Sequence, residues 1–151
     1  SGPLDDATLA MACRCLGVEP DAVVAHAWGV NGPRWAMVQL ADADAVVALR
    51  PEPTALSEVE VGAIGLAAGS DHAYVVRGFA RPPVLEDPVT GSLNAAAAQW
   101  LRGRGLVPER YTVRQGQQIG FDGEVFVTDD GDGVWIGGRV TPLITGSIHL
   151  P

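Results

Sequence analysis

The sequence of 151 residues predicts a single α+β domain, because short strand-like segments outnumber the segments with the length and pattern of proper helices. Apolar residues make up 47% of the chain and charged residues 19%, a balance that supports a hydrophobic core and lies far from the disordered class. Alanine is abundant up to Ala98 and absent after it, where glycine, valine, threonine and isoleucine take over. We therefore expect the helices in the first two thirds of the domain and a run of strands at its end.

The chain opens with a predicted helix at about residues 4–16. Asp5 or Asp6 can cap its start, and Gly17 can end it in the left-handed conformation that glycine tolerates best. Apolar side chains recur on one face at helical spacing, and Cys15 lies off that face. The helix is therefore expected to pack on the domain through one side, with Cys15 directed elsewhere.

Short strands and turns dominate the rest of the chain. Asp42 is expected to cap a short helix at 43–49, and the proline-rich segment 81–91 is expected to be a loop that leads into a helix at 92–101. After that helix, turns rich in glycine and aspartate separate the strands of an antiparallel meander. The predicted strands are 23–28, 35–40, 59–67, 74–79, 111–115, 124–128, 134–140 and 143–150.

The helix at 92–101 contains one full turn of alanine, from Ala95 to Ala98, followed by Trp100 and Leu101. Every side of that turn is small and apolar, and a helix without a polar stripe is usually enclosed by the rest of the domain. A sheet curled around the helix would satisfy this pattern. Because alanine also tolerates exposure, an alanine-rich helix docked on one sheet face satisfies it equally well.

Charge and composition exclude several classes of function. The net charge is −8, and the ten basic residues are scattered along the chain, whereas phosphate binding needs clustered positive charge. All ten are arginine, so neither a lysine Schiff base nor the lysine of a P-loop is available. No apolar run is long enough to cross a membrane, and no signal sequence is visible. We expect no nucleic-acid or membrane partner and a cytoplasmic location.

Residues that bind metals are not grouped in the sequence. His26, His72 and His149 are isolated, while Cys13 and Cys15 are too few for a zinc site and too close together to staple a fold. The acidic turn at 129–132 lacks the spacing and the closing glutamate of an EF-hand. The sequence therefore predicts no metal site, inert thiols and a solvated hairpin turn.

The strongest local signal for chemistry is the segment 86–94 (EDPVTGSLN), in which two carboxylates precede a Thr-Gly-Ser turn that opens the alanine helix. The first N–H groups of a helix lack internal partners and carry partial positive charge, and Gly91 would let a ligand approach them closely. The segment can therefore be a carboxylate- or phosphate-binding corner with an acid or base beside it. The spacing equally allows a structural role, in which Ser92 or Thr90 caps the helix and Asp87 braces the loop.

Five further segments, taken with 86–92, resemble the second half of the phenazine-biosynthesis PhzF-like family, which shares the diaminopimelate epimerase fold. The resemblance spans nearly the whole chain in order, and the 86–92 run is its most specific motif. The segments are 31–35 (NGPRW), 77–80 (RGFA), 86–92 (EDPVTGS), 114–120 (RQGQQIG), 137–140 (GGRV) and 146–148 (GSI).

The resemblance implies a mostly antiparallel sheet curled as a barrel around a central helix, forming one of two similar lobes with the substrate between them. Members are isomerases or epimerases that move a proton without cofactor or metal. Asp87 and Ser92 match catalytic-site residues, and Thr90, Gly91 and Ser92 match the corner that holds a substrate carboxylate. Residues 1–151 would then be one C-terminal lobe, without the N-terminal lobe that carries the family's principal glutamate and a histidine. A second departure is Phe121-Asp122, where the family commonly has arginine and then proline or a small residue, so no anion contact is implied there.

Two functions remain open from the sequence. The first is a PhzF-like isomerase-type protein in a biosynthetic process, acting on a small acidic or aromatic metabolite together with a second lobe or a homodimer mate. The second is a non-catalytic protein that uses the same corner to bind such a metabolite. A serine nucleophile at Ser92 would require a histidine close in space, which the sequence does not place.

Overall fold

The computed structural model describes residues 2–52, 59–80 and 85–150. Most predicted elements are confirmed to within two residues. Within these ranges no helix is long and apolar enough to cross a membrane. The helices are α1 (Asp6–Leu16), α2 (Ala43–Val47) and α3 (Gly91–Gly103), and the strands are β1 (Ala25–Val30), β2 (Arg34–Gln39), β3 (Glu60–Leu66), β4 (Tyr74–Phe79), β5 (Glu86–Asp87), β6 (Arg110–Gln115), β7 (Gly123–Asp129) and β8 (Val134–Gly137).

The strands form one sheet in the order β1-β2-β3-β4-β6-β7-β8, and β5 pairs with β4. Two neighbouring pairs, β2 with β3 and β4 with β6, are parallel, and the other five pairs are antiparallel. Because β3 occupies one edge of β4 along its length, β5 and β6 share the other edge. The short strand β5 therefore sits directly beside the end of β6, in a segment that the sequence predicts to be a loop.

The sheet curls around α3 as a half-barrel, which confirms the expectation of a mostly antiparallel sheet around a central helix. The helix contacts β1 and β8, the two edge strands of the sheet, so the sheet bends far enough to reach both of its sides. Ala95–Ala98 are all buried, and Ala96–Ala98 belong to the core cluster on the inner face of the sheet. The alternative of a helix docked on one sheet face is therefore wrong, because the sheet reaches around the helix to both of its sides.

Helices α1 and α2 pack on the outer face of the half-barrel. Asp5 caps α1 by accepting a hydrogen bond from the N–H of Thr8, and Gly17 ends it at φ 68°. The expectation for Cys15 is wrong: its side chain is fully buried in the outer core cluster with Met11. Burial raises the pKa of the Cys15 thiol to about 12 and also raises that of Cys13, so neither thiol is a nucleophile near neutral pH.

The predicted last strand at 143–150 is wrong, and the strand predicted at 134–140 ends at Gly137. Residues 138–150 form neither helix nor strand and are exposed throughout. An apolar pattern supplies the side chains of a strand, but the strand exists only when a neighbouring backbone pairs with it. The large apolar side chains of this segment are 75–92% exposed: Val140, Leu143, Ile144, Ile148 and Leu150.

Candidate functional site

The beginning of α3 lies against β3 and β4, and two glycines in those strands make this approach possible. A Cβ atom on Gly62 would come within 2.4 Å of Cδ1 of Leu93, and one on Gly78 within 2.9 Å of Oγ1 of Thr90. Any larger residue would push the start of the helix away from the sheet. The two strands thus fix the position of the segment 86–92 at this end of the half-barrel.

The two carboxylates of that segment have different environments. Glu86 forms a bidentate ion pair with Arg77, with 2.8 Å from both Nε and Nη2 to the carboxylate oxygens, and the two side chains are 9% and 4% exposed. Nη1 of Arg77 donates to the backbone oxygen of Leu49 at 3.1 Å, which ties β4 to the chain just after α2. Glu86 is therefore fully engaged in a buried structural pair and is not the available acid or base.

Asp87 is half-buried, and only one of its carboxylate oxygens is engaged by the described residues. The hydroxyl of Thr90 donates to Oδ2 at 2.7 Å. Asp87 therefore braces the loop, as one of the two predicted alternatives has it, through its hydrogen bond with Thr90. Its other oxygen, Oδ1, can still accept a proton or a hydrogen bond. Of the two adjacent carboxylates, Asp87 is the one with an oxygen that the described residues leave unengaged.

Gln115 in β6 holds this corner from the side of the sheet, and it was not predicted from the sequence as a site residue. Its side chain is 1% exposed and makes four hydrogen bonds. Oε1 accepts from the N–H of Thr90 at 3.0 Å and from Nδ2 of Asn94 at 2.8 Å, and Nε2 donates to the backbone oxygen of Asp87 at 2.9 Å and to Oγ1 of Thr90 at 2.8 Å. A signal was present in the sequence, because Gln115 has the same strand parity as the buried Val113 and must also face inward.

Thr90 is the residue before α3, but its side chain does not cap the helix, since its hydroxyl donates to Asp87. The first N–H groups of a helix have no intrahelical partners. Gly91 is exposed, and no atom lies within 4 Å of the position that a Cβ would occupy there. The start of α3 is therefore uncovered on the side of Gly91 that a Cβ would occupy.

Ser92 contacts Trp35 from β2, whose Nε1 donates to the Ser92 hydroxyl oxygen at 3.1 Å. An indole N–H can only donate, so the Ser92 oxygen accepts and its own hydrogen is left to donate elsewhere. His26 instead accepts from the N–H of Leu4, and His72 contacts Thr112 and Arg114. Among the described residues, neither His26 nor His72 is hydrogen-bonded to Ser92, so neither forms a nucleophile–base pair with it.

A cavity of about 380 Å³ lies beside the segment 86–92, where Val89 forms part of its wall. Arg114 and Arg139 also line it, but each is paired, with Asp122 and Glu124 respectively. The Asp122 that departs from the family pattern thus neutralises an arginine. Among the described residues no three His, Cys, Asp or Glu side chains are grouped to hold a metal ion.

The acidic turn after β7 is a hairpin stabilised by its own side chains. Asp130 accepts from the N–H groups of Asp132 and Gly133 and from the indole of Trp135, and these bonds, led by Trp135, lower the pKa of its carboxyl. Asp129 accepts from Arg102, which lowers the pKa of Asp129. This agrees with the expected hairpin turn.

The comparisons with known proteins give one family match and one distant relative. Residues 5–146 match the family model described as phenazine biosynthesis-like protein. An uncharacterized isomerase of Pasteurella multocida is 25% identical over 150 residues, which are 97% of this chain and 52% of that protein.

The fold is shared with solved structures. A PhzF family phenazine biosynthesis protein of Enterococcus faecalis has a TM-score of 0.68 at 20% identity, covering 99% of this chain and 54% of its own. A predicted epimerase of Pseudomonas aeruginosa has a TM-score of 0.66 at 19% identity, covering 95% and 55%. The chain thus spans about half the length of the relatives it matches, and it belongs to the phenazine biosynthesis-like protein family.

Proposed function

We propose that this chain supplies one half of the cleft of an isomerase or epimerase that moves a proton on a small carboxylate-bearing metabolite without a cofactor. The observation that supports this most is a combination of two features at one corner. Asp87 has one carboxylate oxygen held by Thr90 and the other unengaged by the described residues, and the start of α3 is open at Gly91. A proton acceptor and an anion-binding helix end occur side by side. The isomerase named in Pasteurella multocida agrees with this chemistry.

In this proposal the substrate carboxylate lies at the N–H groups of Gly91 and Ser92 and accepts a hydrogen bond from the Ser92 hydroxyl. Asp87 Oδ1 takes a proton from a neighbouring carbon, and the electron pair of the broken C–H bond is delocalised into the substrate. The proton then returns to another carbon, which is isomerisation, or an acid on the facing surface protonates the opposite side, which is epimerisation. Electrons balance within the substrate, so no redox partner is required.

The cleft needs a facing surface, which we propose is either a second lobe of this fold or a second copy of this chain. The exposed apolar segment 138–150 favours association, because large apolar surfaces are usually buried by a partner. A twofold axis would bring two Asp87 corners toward one cleft, and two facing carboxylates disfavour joint ionisation, so that one can serve as an acid. The proposal includes a cytoplasmic location and a biosynthetic role.

We expect this chain to form a dimer at micromolar concentration, which sedimentation velocity over a dilution series measures directly. The expected result is a shift from dimer to monomer as the protein is diluted, since the association is reversible. A protein that remains monomeric at the highest concentration contradicts the homodimer and leaves a separate lobe as the only proposed mate.

The ligand corner is tested with Gly91→Val, which we expect to weaken carboxylate binding at least about fivefold, or roughly 1 kcal/mol. The valine side chain would stand in the open approach to the first N–H groups of α3. Binding is followed through the amide NMR signals of Gly91 and Ser92 while benzoate is added, with uncharged benzamide as the comparison ligand.

The matched control is Gly103→Val, at the other end of α3, where a Cβ likewise meets no atom within 4 Å. It should bind benzoate like the wild type. If Gly91→Val does so too, the carboxylate site lies elsewhere. Carboxylates with an acidic C–H bond that bind at Gly91 but exchange no proton with solvent would favour the non-catalytic binding protein instead.

A further inference from the structure

We propose that Gln115 is a positioning residue for this proton transfer, acting through Thr90 to hold Asp87 in the orientation that leaves Oδ1 available. The inference rests on the proposed function, because it assigns how the proposed base is oriented. Gln115 lies in β6 and is buried, so it acts from within the domain rather than from the surface of the corner.

The orientation of the Gln115 amide is fixed by its neighbours. The backbone N–H of Thr90 can only donate, so the Gln115 atom 3.0 Å from it is the oxygen. The backbone oxygen of Asp87 can only accept, so the atom 2.9 Å from it is the nitrogen. The two ends of one buried amide thus hold the backbone on both sides of the segment 88–89.

This orientation decides the direction of the next hydrogen bond. Nε2 of Gln115 lies 2.8 Å from the Thr90 hydroxyl and can only donate to it, so Oγ1 of Thr90 accepts. The single hydroxyl hydrogen of Thr90 is then left for Oδ2 of Asp87, 2.7 Å away. Asp87 thus accepts a hydrogen bond from Thr90 through one carboxylate oxygen. The side-chain amide of Gln115, which also donates to Thr90, holds the backbone oxygen of Asp87.

Gln115 is itself held firmly in place. It pairs with Gly123 in the register of β6 and β7, and a Cβ on Gly123 would come within 2.4 Å of the Gln115 backbone oxygen. The chain that follows Gln115 also packs closely against the corner, because a Cβ on Gly116 would lie 2.5 Å from the backbone oxygen of Pro88. The buried side chain of Gln115 thereby connects Asp87 to the sheet.

A purely structural role would consist of bracing the start of α3 through the N–H of Thr90 and the amide of Asn94. Two variants separate the roles. Gln115→Met removes all four hydrogen bonds at similar volume, whereas Thr90→Val keeps the backbone contacts of Gln115 and removes only the hydroxyl that links it to Asp87. Thr90→Ser restores that hydroxyl. The matched control is Gln39→Met. Gln39 is also buried, at 4% exposure, and it accepts a hydrogen bond from Arg104, which is not part of the corner.

The test measures the χ1 rotamer of Asp87 from three-bond NMR couplings between its side-chain carboxyl carbon and the backbone. We expect one fixed rotamer in the wild type, Gln39→Met and Thr90→Ser, and averaged couplings in Gln115→Met and Thr90→Val. Where a carboxylate substrate exchanges a proton with deuterated solvent, Gln115→Met should lower the exchange rate at saturation about tenfold and change the half-saturating concentration less than twofold.

An Asp87 rotamer that stays fixed in both Gln115→Met and Thr90→Val overturns the inference, as does an averaged rotamer in the wild type. If Gln115→Met does not fold, Thr90→Val decides alone. The proposed function fails separately, when the wild type exchanges no proton with any carboxylate tested, because the rotamer measurement does not depend on turnover.

Discussion

Asp87→Asn is expected to reduce proton exchange between a bound carboxylate substrate and solvent by at least about a hundredfold, within the range of general acid–base catalysis. The amide oxygen of asparagine can still accept the hydrogen bond that Thr90 donates to Oδ2 of Asp87. The fold and the opening at Gly91 should therefore persist, while the group that takes the proton is lost. Deuterium incorporation into carboxylates with an acidic C–H bond, followed by proton NMR in deuterated water, measures the loss.

The matched control for this prediction is Asp21→Asn, which removes one exposed carboxylate from the turn after α1. It should exchange protons like the wild type and show that the overall charge is not responsible. Binding of benzoate should be retained in Asp87→Asn, since the first N–H groups of α3 are unchanged. Exchange that continues at the wild-type rate in Asp87→Asn would remove Asp87 from the mechanism.

Glu86→Ala is expected to produce the largest loss of stability of any substitution at the corner, about 3–5 kcal/mol in the free energy of unfolding. Arg77 would remain with its side chain 4% exposed and without its counter-charge. Removing one partner of a buried ion pair leaves a desolvated charge, which is much more costly than losing the pair as a whole. Urea denaturation followed by circular dichroism measures the change.

The comparison variant is Glu124→Ala, which breaks another Arg–Glu pair, with Arg139, whose side chain is 83% exposed. That substitution should cost less than about 1 kcal/mol. The double variant Arg77→Met with Glu86→Leu should recover much of the stability that Glu86→Ala loses, because no buried charge remains. Equal losses for Glu86→Ala and Glu124→Ala would contradict the structural role of the buried pair.

Local signals predicted most of the fold. The cap at Asp5 and the left-handed Gly17 each depend on residues within a few positions of one another, and each is found where expected. The strand β5 and the segment 143–150 depend instead on which backbone lies alongside. Pairing across the sheet is decided by distant parts of the chain, so the apolar pattern alone missed one strand and added another.

The candidate site could likewise be predicted only where its residues are close together in the sequence. The motif 86–92 located Asp87, Gly91 and Ser92 together at the start of α3, because these residues are adjacent in sequence. The different roles of Glu86 and Asp87 could not be predicted, since they depend on Arg77 from β4. The same limit applies to Gln115, whose partner Thr90 lies 25 residues earlier.

The parallel pairing of β4 with β6 has a consequence for the order in which the domain folds. Tyr74 pairs with Val113, and parallel neighbours cannot form as a local hairpin, because their connection must cross over, here through α3. Closing such a connection is entropically unfavourable until β6 docks, so pairings of this kind form slowly. Asp87 precedes this crossover in the chain and Gln115 follows it. We therefore expect that a chain in which only β1–β4 have folded contains no functional corner, and that protection of the Thr90 amide from hydrogen exchange appears late in refolding.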